Sequence, residues 1–447
     1  MARATVTFLG GVREIGGNKI LIADGPDRIL FDFGPSFSPQ MEEFYVDFLQ
    51  PRSTSRVKDL LEFDLLPRVD GLYSEAALTD SDLRYQSPEI HALFVSHAHA
   101  DHAGYLDLID PKIPIYLGKG THRLLEAIEA SGTRKYGTHD WRIFADREPI
   151  RIGGIEVVPF PVDHSIPWAY GFLIRTSAGT VVYTGDFRRH GPRAGDTDAF
   201  LNAARADRPV ALIIEGTRAG PDPRKNLSEQ EVRSQVDSVL QSTNSVALVC
   251  TYPRDVDRLT TLYEAAQQAE RELVVSLKAA HLLTTIAPLA PNPSLPVPGK
   301  SPGVRVYGRT KRRYYNWEKT FLPDAITAEE IRGHGSRYLL SLDLMHFAEL
   351  IDIRPPAGSP FIHSMSEPFS EEDINDRVFH NWLEHFGLPF HQMHASGHCS
   401  GPELMEISRA LDPKHLFPIH TEHPEAFLGL GTSVRPPEKG TPYPLGP

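Results

Sequence analysis

The run Ser96–Gly104, SHAHADHAG, places His97, His99, Asp101 and His102 directly after the apolar stretch Ala92–Val95. A strand ending there delivers four ligand-type side chains to one loop. Without a cation these groups would desolvate and repel one another, whereas imidazoles and carboxylates are the donors that divalent metals such as zinc accept. The chain must therefore fold so that a strand end opens onto a polar cavity, with the remaining ligands brought from elsewhere.

The rest of the chain supplies candidates in the same pattern. His164 follows the strand-like Ile155–Val162, Asp186 follows Thr180–Thr184, Glu215 closes Ala211–Glu215, and His420 follows LFPI near the C-terminus. Asp32 ends one of two N-terminal strands read from KILIADGPDRILFDFG. Taken singly, His164 and Asp186 read equally well as polar loop residues, and Glu215 reads first as an N-cap or turn acid.

The organisation changes along the chain. A hairpin-rich start is followed by Pro35–Glu89, an irregular charged insertion with weak helical signals such as RVKDLLEFDLL. At Asn226 the pattern turns helical: SEQEVRSQVDSVL carries a capping box, Ser228 with Glu231, and apolar residues Val232, Val236, Val239 and Leu240 at helical spacing. SVALVCTY, DVDRLTTLYEAAQQAERE and ELVVSL then read as strand, helix and strand, a βαβ unit of a second domain. Pro288–Gly303 is expected to be an extended surface loop. The basic and aromatic Gly308–Phe321, GRTKRRYYNWEKTF, has two readings. One is a nucleic-acid groove using Arg309, Lys311, Arg312, Arg313, Tyr314 and Trp317. The other is a solvated helix with one buried aromatic face.

Composition narrows the class. The net charge of −12 argues against non-specific coating of nucleic acid, although it leaves room for a local basic channel. The N-terminus lacks the apolar core of a secretory signal, no stretch is long enough to span a bilayer, and Cys250 and Cys399 are the only cysteines. The expectation is a cytoplasmic protein without membrane partners, its two cysteines filling the core.

Taken in order, HxHxDH, His164, GDF and the distant histidines resemble the metallo-β-lactamase fold in its β-CASP nuclease branch. MHASGH (Met393–His398) followed by PKHLFPIHTEH (Pro413–His423) is similar to the ribonuclease J family. The resemblance implies an α/β protein: an αββα sandwich formed by 1–217 and 389–447, with an inserted β-CASP α/β domain over 218–388. It implies two divalent ions, zinc first, with manganese or magnesium as alternatives. One would be held by His97, His99 and His164 and the other by Asp101, His102 and His420, with Asp186 bridging and Asp32 in support. Asp101 and Asp186 would thus serve catalysis directly. Glu215 and His398 would form a proton-donating pair, and His394, Ser396, Gly397 and His398 would meet substrate phosphate.

The implied activity is RNA hydrolysis by a two-metal hydroxide mechanism, from the 5′ end or internally, on single strands bearing a 5′ monophosphate. Three alternatives stand beside it: a DNA nuclease of the same branch, a small-molecule metallo-hydrolase, and a non-catalytic subunit of an RNA-processing complex. The chain departs from the family in reading HAHADH rather than HGHEDH, and in Glu rather than Asp at position 215. It also ends at Pro447, soon after the last motif, where family members continue into a small domain that aids dimerisation. Whether it forms a homodimer is therefore left open.

Overall fold

The structure is a computed structural model that describes residues 4–37, 41, 43–46, 48–222, 224, 226–290, 294–366, 374–430 and 434–446. The first sheet opens with an antiparallel meander, β1 (Thr5–Gly10), β2 (Lys19–Asp24) and β3 (Asp27–Phe31). It continues with β4 (Ala92–Phe94), β5 (Ile115–Gly118) and β6 (Trp141–Phe144), all running parallel to β3. The second sheet starts with the antiparallel strands β7 (Ile150–Ile152), β8 (Ile155–Val162), β9 (Ala169–Thr176) and β10 (Gly179–Tyr183). To these β11 (Ala211–Glu215) adds in parallel.

The chain then leaves to build a third sheet from β12 (Ala247–Thr251), β13 (Glu272–Val275), β14 (Val304–Val306), β15 (Tyr338–Ser341), β16 (Phe361–Ser364) and β17 (Phe390–Gln392). It returns as β18 (His415–Ile419) beside β11 and β19 (Pro442–Pro444) beside β1.

The first two sheets pack face to face. Phe8, Phe31 and Phe94 of one meet Phe172, Tyr183 and Phe417 of the other, with the Phe31 and Phe172 ring centroids 5.1 Å apart. Helices cover the outer faces: Lys119–Ala130 on the first, Ala194–Ala206 and Gly401–Leu411 on the second. This is the αββα sandwich with an inserted α/β domain that the sequence led us to expect.

The third sheet is parallel throughout, in the order β14-β13-β15-β12-β16-β17, and buries both faces. Its strands accordingly read as continuous apolar runs such as ALVCT and ELVV. The helix Glu229–Gln241 begins on the Ser228–Glu231 capping box.

Three details differ from the sequence reading. The strands of the βαβ unit are not neighbours, because β15 lies between β12 and β13. The third sheet takes its last strand from Phe390–Gln392, beyond the expected boundary at 388. The Pro288–Gly303 segment is not simply a surface loop: 291–293 lie outside the described residues, but Leu295 and Val297 are buried in the core over the first sheet. The 35–89 insertion contributes to that same core through Val57, Leu60, Leu61, Leu66 and Leu72, the first three on a helix at Arg56–Glu62. Both cysteines are buried and unpaired. No helix among the described residues is long and apolar enough to cross a membrane.

Candidate metal centre and cleft

Both sandwich sheets end at one rim, which is why ligands far apart in sequence meet there. β4 leads into His97, and the one-turn helix Ala100–Ala103 carries Asp101 and His102. β8 leads to His164, β10 to Asp186, β11 ends on Glu215, and β18 leads to His420. Asp32 and His420 both adopt left-handed backbone, at φ +56° and +52°, which turns each sharply out of its strand.

Three imidazole nitrogens surround one point. His99 Nδ1 lies 3.1 Å from His97 Nε2 and 3.0 Å from His164 Nε2. A second point is framed by Asp101, His102, Asp186 and His420. There Asp101 Oδ2 is 3.1 Å from His420 Nε2 and 3.5 Å from His102 Nε2. Asp186 Oδ2 sits between the two sets, 3.1 Å from His102, 3.5 Å from His420, 3.7 Å from His97 and 4.0 Å from His164. All but the half-buried His99 are buried.

The outward ring nitrogens of His97, His102, His164 and His420 are each fixed by a partner, which leaves the other aimed inward. His164 Nδ1 donates to the Gly397 carbonyl at 2.6 Å, and His102 Nδ1 lies 2.8 Å from Asp32 Oδ2. Thr217 Oγ1 is 2.9 Å from His420 Nδ1, and Ser96 Oγ is 3.0 Å from His97 Nδ1. Asp32 is itself held by the Ser96 amide and by the hydroxyls of Ser96 and Tyr183.

Burial holds His97, His99 and His164 neutral, His99 down at about 4, which suits lone-pair donation. For His102 and His420 burial opposes protonation too, but Asp186 and Asp101 outweigh it and push His420 up to about 9. Asp186 ionises readily in spite of burial because His102 and His420 face it. Its Oδ1 is buried without a hydrogen-bond partner among the described residues. An orphaned carboxylate oxygen on a residue ringed by imidazoles, beside the neutral set of His97, His99 and His164, fits a cation, so the donor set suits divalent metal binding.

The centre opens into a cleft of about 1000 Å³ between the sandwich and the inserted domain. His398 stands at the edge, its Nδ1 3.3 Å from Glu215 Oε1 and 3.1 Å from Thr217 Oγ1. His394, Ser396 and Gly397 line the same cleft. Burial first, and Arg258 next, lower His394 to about 3. Gly397 is needed where it is, since a Cβ there would fall 2.7 Å from Ser165 Oγ and 2.9 Å from His164 Cε1.

The basic and aromatic segment divides. Arg309, Lys311 and Trp317 line the cleft, whereas Arg312, Arg313 and Tyr314 do not. Lys311 is committed to Glu318 at 2.6 Å, and the Tyr314 hydroxyl donates to the Arg309 carbonyl at 2.8 Å. The segment is mostly loop, with a single helical turn at Asn316–Lys319. The residues that sequence reasoning missed are the orienting ones, Thr217, Ser96 and Tyr183. Thr217 alone carried a signal, lying two positions after Glu215.

The chain matches a beta-lactamase superfamily domain over residues 68–232 and a Zn-dependent metallo-hydrolase RNA specificity domain over 389–427. With this fold and donor set, it resembles the metallo-β-lactamase superfamily of metal-dependent hydrolases. Among its relatives are ribonuclease J of Thermus thermophilus, 28% identical over 96% of this chain and 71% of that one, and ribonuclease J of Sinorhizobium meliloti, 26% identical over 95% and 70%. The chain is therefore ribonuclease J-like, similar to the β-CASP branch of that superfamily. A protein of unknown function from Enterococcus faecalis is similar in structure, with a TM-score of 0.78 and 26% identity over 99% of this chain and 100% of that one.

Proposed function

We propose that this protein is a metal-dependent ribonuclease that hydrolyses phosphodiester bonds of single-stranded RNA, working inward from a 5′-monophosphate end. The observation that carries this reading is the double set of ligands around Asp186, with the His398–Glu215 pair at its edge and a cleft leading away from it. The relatives named ribonuclease J and the match to an RNA specificity domain support RNA as the substrate class.

Divalent ions bound there would supply Lewis acidity to phosphoryl oxygens and lower the pKa of a water. The protein does the rest. Asp32, Thr217 and the Gly397 carbonyl keep His102, His420 and His164 turned inward, so no reorganisation is needed when substrate arrives. His394, held neutral, offers a hydrogen bond to phosphate without adding charge. His398 directs Nδ1 toward the buried Glu215, which leaves Nε2 to pass a proton to the departing 3′ oxygen.

The test is to incubate 5′-phosphorylated, 5′-hydroxyl and circular RNAs, and matching DNAs, with the protein and zinc, manganese or magnesium. Mononucleotides released only from the 5′-phosphorylated linear RNA are expected. Cutting of the circle would add an endonucleolytic mode, and untouched RNA alongside rapid thioester hydrolysis would sink the reading.

A further inference from the structure

The inserted domain turns the carboxyl ends of its parallel strands toward the cleft, the edge at which open α/β sheets bind ligands. Three of those strands place a cation at the same offset. β12 ends at Thr251 and Arg254 follows, β13 ends at Val275 and Lys278 follows, and β14 ends at Val306 and Arg309 follows. All three line the cleft.

The cleft's other cations are already committed: Arg218 and Arg224 to Asp222, and Lys311 to Glu318. By contrast, the side chains of Arg254, Lys278 and Arg309 have no hydrogen bond or ion pair among the described residues. Arg254 is the most demanding case. It is half-buried, burial lowers its pKa, and its charged surroundings include a second cation, Arg134, together with the metal-ligand candidates Asp101 and His99. An unpaired guanidinium removed from water is costly unless an anion completes it. The strand between them, β15, is followed by Asp343, but that carboxylate is occupied by His346 Nδ1 at 2.6 Å.

We infer that Arg254, Lys278 and Arg309 form a phosphate track, one cation per strand, which holds the substrate backbone on the flank of the scissile bond. The sheet order β14-β13-β15-β12 sets their sequence along the cleft: Arg309 and Lys278 follow adjacent strands, which lie about 5 Å apart, and Arg254 follows the strand two places further on. The row runs from Arg254, whose charge reaches the metal-ligand candidates His99 and Asp101, to Arg309, and Tyr315 and Trp317 line the same cleft. Those two rings are parallel to within 5° at 6.3 Å, a platform on which a base can stack. The ligand is thus the polyanionic backbone of a single strand, read without regard to sequence. This deepens the nuclease reading and rests on it for the identity of the ligand.

The test uses binding, so that it does not depend on turnover. The 447-residue chain, kept free of metal, is titrated with a fluorescent 12-nucleotide single-stranded RNA across a salt series. Compared with wild type, the triple variant R254Q/K278Q/R309Q is expected to bind roughly 30-fold more weakly at low salt. Its log–log salt slope should be shallower by about 2, since each lost phosphate contact removes about 0.7 on single strands. A matched triple variant outside the cleft, R205Q/R208Q/K414Q, removes the same charge and should leave the slope as it is. Equal slopes for wild type and the cleft triple variant would overturn the track, as would a wild type that does not bind RNA at all. Normal track-dependent binding combined with no cleavage under any metal would overturn the nuclease reading and leave the track standing.

Discussion

Asp186 shows how much rests on single atoms here: one carboxylate oxygen faces four imidazoles and the other has no hydrogen-bond partner among the described residues. Replacing Asp101 or His102 with Ala should abolish phosphodiester cleavage while far-ultraviolet circular dichroism stays unchanged, and full metal-dependent activity in either variant would refute the ligand assignment. Asp32 acts one bond further out, through His102 Nδ1. Asp32→Asn should therefore weaken metal affinity by about 10- to 100-fold, measured by competition with a chromophoric chelator. His398→Ala should lower kcat by about 10²- to 10⁴-fold on RNA, and much less on a nitrophenyl phosphodiester, whose leaving group needs no proton. A loss of the same size on both substrates would contradict a proton-donating role.

Among the elements, the one-turn helix Ala100–Ala103 is the most tightly constrained, because it presents ligands from a backbone that Gly34 touches. A Cβ on Gly34 would fall 2.1 Å from the Asp101 carbonyl carbon and 2.5 Å from the His102 amide nitrogen. Gly34→Ala should thus displace the helix and remove about one metal equivalent per chain, read by elemental analysis of protein that remains folded. The capping box on Glu229–Gln241 had a clear signal in the sequence, since capping depends on residues only three apart. The basic and aromatic segment did not declare its geometry. Whether Lys311 was free for phosphate depended on Glu318, seven positions away across a turn that periodicity does not describe.

At the scale of the whole molecule, the inserted domain is tied to the sandwich by buried charge. Arg188, just after Asp186, reaches Asp163 at 3.0 Å and, in the inserted domain, Glu229 at 3.3 Å and Asp257 at 3.2 Å. Arg258 joins Glu229 at 2.9 Å and the Ala395 carbonyl at 3.3 Å, within the segment proposed to contact phosphate. Arg188→Met would leave three carboxylates short of a partner, and should cost about 3–5 kcal/mol in a denaturant titration. Burial works against the charge on Glu229, but Arg258 and then Arg188 outweigh it and hold its pKa at about 2. A depressed carboxylate stabilises above its ordinary value, and that contribution is lost as pH falls toward 2. Wild type should therefore lose stability between about pH 4.5 and 2 more steeply than Glu229→Gln, measured as the shift in denaturation midpoint.

The sequence by itself determined the chemistry that local order can encode. HxHxDH is a metal signature because its members share one strand end, and the apolar runs preceding His164, Asp186, Glu215 and His420 marked further strand ends of the same kind. Periodicity and turn chemistry carried the capped helix and a βαβ unit of a second domain, whereas the sandwich was implied by the resemblance to the metallo-β-lactamase fold. Only the tertiary structure decided which of these side chains meet, because the approach of His420 to Asp101 spans 319 positions and depends on how two sheets align. It alone decided as well which cations in the cleft are spent on neighbouring carboxylates and which remain for substrate. Pairing of that kind is a property of distance in space, and a linear pattern of charges does not contain it.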